Sequence, residues 1–176
     1  ITPGHPELGH TDGVDATSGP LGQGIAQAVG LAIAESHLNK KYDGFIDHHT
    51  YVLCGDGCLQ EGISQEAISL AGMLKLSKLV LIYDSNNVTL DGPLSLSSTE
   101  DVKARFKAAD WNVLEVEDGN NINAIDTALI KARRYTDRPT LVIVKTVIGY
   151  GSPVAGTSKA HGAPIKGDDI KATKDF

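Results

Sequence analysis

Two short polar segments, each closing an apolar run, carry the residues best suited to chemistry: Gly55-Asp56-Gly57 and Asp84-Ser85-Asn86-Asn87, with Asp56 and Asn86 separated by 30 positions. The runs Thr50 to Cys54 and Leu79 to Tyr83 before them read as buried parallel strands. Between them Ile63, Ala67, Leu70, Ala71 and Leu74 recur at helical spacing. Such a strand–helix–strand unit crosses over right-handedly and brings both strand ends to one sheet edge, where ligands of open α/β sheets sit. A carboxylate and an amide oxygen at that edge suit Mg²⁺, a hard cation that completes its octahedron with phosphate oxygens and water. Glycines flanking Asp56 let main-chain N–H groups approach a diphosphate, with the positive end of the next helix behind them. Each piece alone is well explained as a tight turn or an Asx turn; their order and separation favour the metal. Competing nucleotide motifs fail, since Gln27 stands where a dinucleotide fingerprint after Gly22-x-Gly24 needs Gly, and no P-loop ending occurs.

The rest of the chain supplies elements to hold these ends. Residues 2–20 are rich in Gly, Pro, Thr, Ser and Asp without periodicity and predict a long loop, a kind usually functional in a compact chain. A buried helix is predicted from Leu21 to about Tyr42, with Ala26, Gly30 and Ala34 giving close approach to a neighbour. Ser98 with Asp101 predicts a capped helix to about Asp110, followed by a strand near Val113 to Val116. A helix carrying Ile122, Ile125, Leu129 and Ala132 and a β-branched strand from Leu141 to Val147 complete an alternation that predicts an α/β, mostly parallel sheet with helices on both faces. The polar, Gly-rich stretch from Gly149 is expected to take its order from contacts with something else.

Composition narrows the function. The chain has 176 residues, enough for one domain, and a formal net charge of −6 with its basic residues scattered, which argues against nucleic-acid binding. No apolar stretch approaches a membrane span and no signal peptide is recognisable, so a cytoplasmic location is expected. Cys54 and Cys58, the only cysteines, lack partners for a zinc site and read as reduced structural thiols. The chain opens without Met at a Pro-Gly turn, which leads to the expectation of a segment cut from something longer.

Five segments, Thr2-Pro-Gly-His-Pro-Glu7, Ser18-Gly-Pro-Leu-Gly-Gln-Gly24, Gly55-Asp-Gly-Cys-Leu-Gln-Glu-Gly62, Ile148-Gly-Tyr-Gly151 and His161-Gly-Ala-Pro164, resemble the transketolase family in that family's order, over essentially the whole chain. The resemblance implies a thiamine-diphosphate-binding fold over residues 1–176, incomplete at its N-terminus. It also implies thiamine diphosphate and Mg²⁺ as cofactors, with Ca²⁺ or Mn²⁺ able to stand in for the metal. Asp56, Asn86 and the main-chain carbonyl of Val88 are then the metal ligands, and Gly57 meets the diphosphate through its N–H. Gly19 and Leu21 match the loop beside the cofactor's rings, although Gly-Pro-Leu also suits a plain helix start. His5 and His161 match histidines that face the reacting sugar and the cofactor, placed to hydrogen-bond hydroxyls and shuttle protons. Glu61 matches a glutamate between the two active sites of a dimer, a position where an acidic residue also suits any first helical turn. Asp84 either anchors the metal loop or is a turn residue, and His10, His37, His48 and His49 match no functional position. Ser18 stands where the family usually has Thr, and Asn87 at a variable position.

The activity so implied is transfer of a two-carbon ketol unit from a ketose phosphate to an aldose phosphate, in the pentose phosphate pathway. The domain that binds and activates the aminopyrimidine is not among these residues, so activity requires a homodimer of a longer chain or a separate partner chain. The alternatives are a noncatalytic cofactor-binding or interaction module and, among enzymes, a dihydroxyacetone synthase. Apolar edges left by missing domains predict a tendency to dimerise.

Overall fold

In a computed structural model, residues 6–176 are described. Four parallel strands form one sheet in the order β1 (Thr50–Gly55), β2 (Leu79–Ser85), β4 (Thr140–Lys145), β3 (Asn112–Val116). Among the described residues there are six α-helices: α1 (Gln23–Lys41), α2 (Asp56–Gln60), α3 (Gly62–Met73), α4 (Val102–Ala108), α5 (Ile122–Arg134) and α6 (Asp168–Asp175). The expected α/β class and all four strands are present.

The longest apolar, β-branched runs lie at the centre of the sheet because strands covered on both faces have no polar side to present. Alternation then divides the core. Leu79, Leu81, Leu141 and Ile143 face α1, α3 and α4 with Ile25, Ile68, Phe106 and Trp111, whereas Val80, Val142, Val144 and Val116 face α5 with Ala128 and Ala132. β1 is an edge strand, and its Tyr51 and Leu53 are exposed. Both cysteines are free, with Cys54 in the core and its thiol pushed up chiefly by burial.

Two predicted helix faces differ from those observed, although Ala67 and Ala71 of the expected α3 face are buried. In α1 the buried residues are Ile25, Ala28, Val29, Ala32 and Glu35, while Gly30 and Ala34 are exposed, so the helix is half-buried with its small-residue face outward. Leu31 and Ile33 are exposed and Ala28 and Ala32 buried, so the face that turns in is set by what packs across from it and not by side-chain size. In α3 Ser64, Ala67, Ile68, Ala71 and Gly72 are buried, and Ile63, Leu70 and Leu74 are exposed. A break at Glu61 separates α2 from α3, and small residues let α3 pack close to α1.

The cap of α4 also differs from expectation. Asp101 itself is the N-cap, accepting from Ala104 N–H at 2.9 Å, while Ser98 Oγ accepts from Glu100 N–H at 3.3 Å outside the helix. The helix ends at Ala108, before Asp110 at φ 65°. The stretch after Gly149 is ordered from within: α6 forms, and the Tyr150 and Phe176 rings meet edge to face at 5.3 Å.

Candidate metal and diphosphate site

β1 ends at Gly55, which pairs in register with Asp84 of β2, so the two polar segments emerge side by side at the carboxyl edge of the sheet. Asp56, the first residue of α2, is only 4% exposed. Its Oδ1 accepts a hydrogen bond from the Tyr83 hydroxyl. Its Oδ2 is buried and no donor reaches it in good hydrogen-bond geometry, although the backbone N–H groups of Asn87 and Asn86 stand near enough to act on the carboxylate. An unpaired buried carboxylate oxygen is costly unless something positive meets it.

Burial is the main force pushing the Asp56 carboxyl above its usual range; the Tyr83 hydroxyl and the backbone N–H groups of Asn87 and Asn86 oppose it, and Asp84 adds to it. Burial and the facing carboxylate in turn hold the Tyr83 hydroxyl in its protonated form, well above the usual phenol range. Because Asn86 and Asn87 act on Asp56 through their backbones, the 30-residue separation in sequence closes to direct proximity in space.

The turn after β2 is tied on three sides. Asn86 Nδ2 donates to Asp84 Oδ2 at 2.9 Å, and Val88 N–H donates to Asn86 Oδ1 at 2.9 Å. The Thr146 hydroxyl, just past β4, also donates to Asp84. Asp84 is thus an anchor between β2 and β4. Asn87 adopts φ 60°, a left-handed conformation that Asn tolerates.

Val88 faces Pro93 in an antiparallel bridge whose hydrogen bonds are made by its neighbours, Thr89 N–H to Gly92 O at 2.8 Å and Leu94 N–H to Asn87 O at 2.9 Å. In such a pair the N–H and C=O of the central residue point together to the other side. The Val88 carbonyl therefore turns toward the side of Asn86, and among the described residues it accepts no hydrogen bond.

These oxygens fit a divalent cation that brings its own anion. Among the described residues no group of three His, Cys, Asp or Glu side chains could hold a metal, so a dedicated carboxylate or zinc-type cage is not built. One buried carboxylate, one amide oxygen and one free carbonyl leave octahedral positions for phosphate oxygens and water, the usual arrangement for Mg²⁺.

Leu21 lies beside Gly57. A Cβ on Gly57 would come within 3.0 Å of Leu21 Cδ1, and Gly22 at φ 81° sits so close to the α2–α3 junction that its Cβ would meet Glu61 Cβ at 2.8 Å. The loop before α1 is thereby pinned over the start of α2, with Leu21 53% exposed and Gly19 in open space. Gly57 is in the first turn of α2, where backbone N–H groups have no intrahelical acceptor.

His161 is exposed after a short 3₁₀ turn, Ser158–Ala160, and no hydrogen bond among the described residues joins its side chain to Asp56, Asn86 or Gly57. Its neighbour Ala160 packs on Gly149, whose Cβ would meet it at 2.8 Å, so the loop folds back toward the end of β4. His5 lies outside the described residues. Glu61 is the N-cap residue of α3 without a side-chain cap bond.

Tyr83 is the residue that the sequence reading passed over as part of an apolar strand. Its hydroxyl was the available signal, since a buried Tyr needs a hydrogen-bond partner, and the register that pairs it with Cys54 leaves Asp56 as the nearest carboxylate.

Comparison with known proteins gives the same family throughout. The model of the transketolase thiamine diphosphate binding domain matches residues 1–176. A transketolase of Bacillus subtilis is 60% identical over 179 residues, covering 99% of this chain and 27% of the relative. The solved transketolase from Leishmania mexicana superposes with a TM-score of 0.90 at 49% identity, over 98% of this chain and 27% of that one. A Pichia stipitis transketolase in complex with sedoheptulose-7-phosphate gives a TM-score of 0.90 at 47% identity, over 98% of this chain and 26% of its own. The chain spans about a quarter of the length of the relatives it matches. Among the described residues no helix is long and apolar enough to cross a membrane.

Proposed function

This chain belongs to the transketolase family as its thiamine-diphosphate-binding domain, and from that premise we propose that it holds Mg²⁺ and the diphosphate of the cofactor during two-carbon ketol transfer between sugar phosphates. The observation that carries the reading is the buried, unpartnered Oδ2 of Asp56 beside the backbone of Asn86.

Asp56 Oδ2, the Asn86 amide oxygen and the Val88 carbonyl hold the metal, and Ca²⁺ or Mn²⁺ can take its place. Asn86 Oδ1 already accepts from Val88 N–H and keeps a second lone pair for the cation. Asp84 and Thr146 keep the turn at a fixed height above the sheet. The N–H of Gly57 meets a diphosphate oxygen, possible because no side chain at 57 stands in the way. Leu21 and Gly19 line the approach to the ring end of the cofactor, with Leu21 supplying apolar contact.

Thiamine diphosphate, when bound, supplies the carbon nucleophile and electron sink that the protein lacks. His5 and His161 hydrogen-bond sugar hydroxyls and move protons near neutral pH. The aminopyrimidine is bound by a second subunit or a partner chain, which completes the site. The cytoplasmic location and the pentose phosphate pathway follow from the same reading.

Calorimetric titration of thiamine diphosphate with Mg²⁺ into the protein expressed from its complete gene tests this directly. Binding is expected in the wild type and none in Asp56→Ala, with two-carbon transfer lost in parallel. Undiminished affinity in the variant would end the metal assignment.

A further inference from the structure

We propose that Tyr83 is a positioning residue that makes Asp56 a one-oxygen ligand and so favours a small octahedral cation over a larger one; the inference rests on the metal reading above. A carboxylate can offer a cation one oxygen or two. Here the Tyr83 hydroxyl takes one lone pair of Oδ1 and fixes the carboxylate, so a cation gripping both oxygens has to share Oδ1 with that hydroxyl, whereas Oδ2 is buried without such a bond.

The bond is shielded because both partners are buried. Tyr83 is 3% exposed and belongs to the core cluster that includes Cys54, Leu59 and Leu81. Its main chain is held from both sides, by pairing with Cys54 of β1 and with Ile143 of β4. Asp56, 4% exposed at the start of α2, is held against the end of β1. Neither side chain is free to meet bulk water, which would otherwise compete for the bond.

Denticity matters differently for different cations. Ca²⁺ takes six to eight oxygens and readily accepts both oxygens of one carboxylate, whereas Mg²⁺ demands a compact octahedron. With Asp56 limited to Oδ2, the protein offers three oxygens, from Asp56, Asn86 and Val88, and the remaining three positions fall to phosphate and water. Freeing Oδ1 opens a second contact that only the larger ion can use well. Groups that orient a ligand typically change metal affinity 10- to 100-fold when removed.

The test is Tyr83→Phe in the protein expressed from its complete gene. The variant keeps the ring that fills the core and loses only the hydroxyl. Mg²⁺ and Ca²⁺ dissociation constants are measured by calorimetry with saturating thiamine diphosphate, beside wild type and Asp56→Ala, and melting curves without metal report the fold. The expected result is Mg²⁺ binding weakened roughly tenfold and Ca²⁺ binding weakened less than about threefold. Equal loss for both ions, or no change, overturns the role of Tyr83. If Asp56→Ala itself still binds metal, the site is elsewhere and both readings fall; if Asp56→Ala loses metal while the ion preference of Tyr83→Phe is unaltered, only the positioning role falls.

Discussion

Leu21 closes over Gly57, so that a Cβ at position 57 would lie 3.0 Å from Leu21 Cδ1. That contact joins the loop before α1 to the start of α2 and leaves only a backbone surface where a diphosphate is proposed to dock. Gly57→Ala should therefore keep its fold, because the half-exposed Leu21 can swing away. The cofactor should still lose close access to the N–H. A dissociation constant for thiamine diphosphate raised about tenfold, worth ~1.4 kcal/mol, is expected by calorimetry. An unchanged constant would remove Gly57 from the contact.

Asp56 sets function against stability. Burial raises its folded-state pKa above the unfolded value. Without metal, the folded chain therefore binds this proton more readily than the unfolded chain, and stability rises as pH falls through the raised value toward the ordinary carboxylate range. Asp56→Asn removes the buried charge while keeping an oxygen for Tyr83. The metal-free variant should be more stable at neutral pH, by on the order of 1 kcal/mol, with a flatter dependence of melting temperature on pH above the ordinary carboxylate range. It should bind no Mg²⁺. A metal-free variant that melts below wild type at pH 7 would contradict this account.

What the sequence made legible follows from how strongly each feature is specified. Three of the strands are dominated by apolar runs and β3 alternates apolar and polar residues, and the convergence of Asp56 with Asn86 follows from crossover handedness. The buried faces of α1 and α3 were misread because Ala and Gly fill both sides of these helices, so the choice of face depends on what lies across from them. Ser98 and Asp101 both suit a cap, and the structure uses the later one. The helix α6 lies in a polar tail with no apolar stripe to announce it. The Tyr83–Asp56 bond depends on strand register, which a single apolar run does not reveal.

Gly72 and Gly30 offer a matched pair of helix substitutions with opposite outcomes. A Cβ on Gly72 would lie 1.8 Å from the carbonyl oxygen of Ala109, where backbone has to move, whereas Gly30 faces open space. Gly72→Ala should destabilise by about 3 kcal/mol, at the upper end of overpacking costs. Gly30→Ala should instead stabilise the chain by about 0.5 to 1 kcal/mol through helix propensity. Urea denaturation of both variants decides the point. Similar midpoints would mean that the α3–α4 contact is looser than its geometry.

At the opposite end of the sheet, Lys78 Nζ bridges Glu35 and Asp47 at 2.6 Å each. Glu35 is 4% exposed on the buried face of α1, so removing its partner leaves a carboxylate with no water to turn to. Lys78→Met should cost about 2 to 3 kcal/mol, below the full penalty for a broken buried pair because Lys78 is itself partly exposed. The double variant Glu35→Leu with Lys78→Met replaces the pair by apolar volume and should recover most of that loss. The comparison by chemical denaturation separates two roles for the bridge. Recovery means the cost lies in the stranded Glu35, whereas a double variant as unstable as the single one means that the bridge through Asp47 holds the loop between α1 and β1 in place.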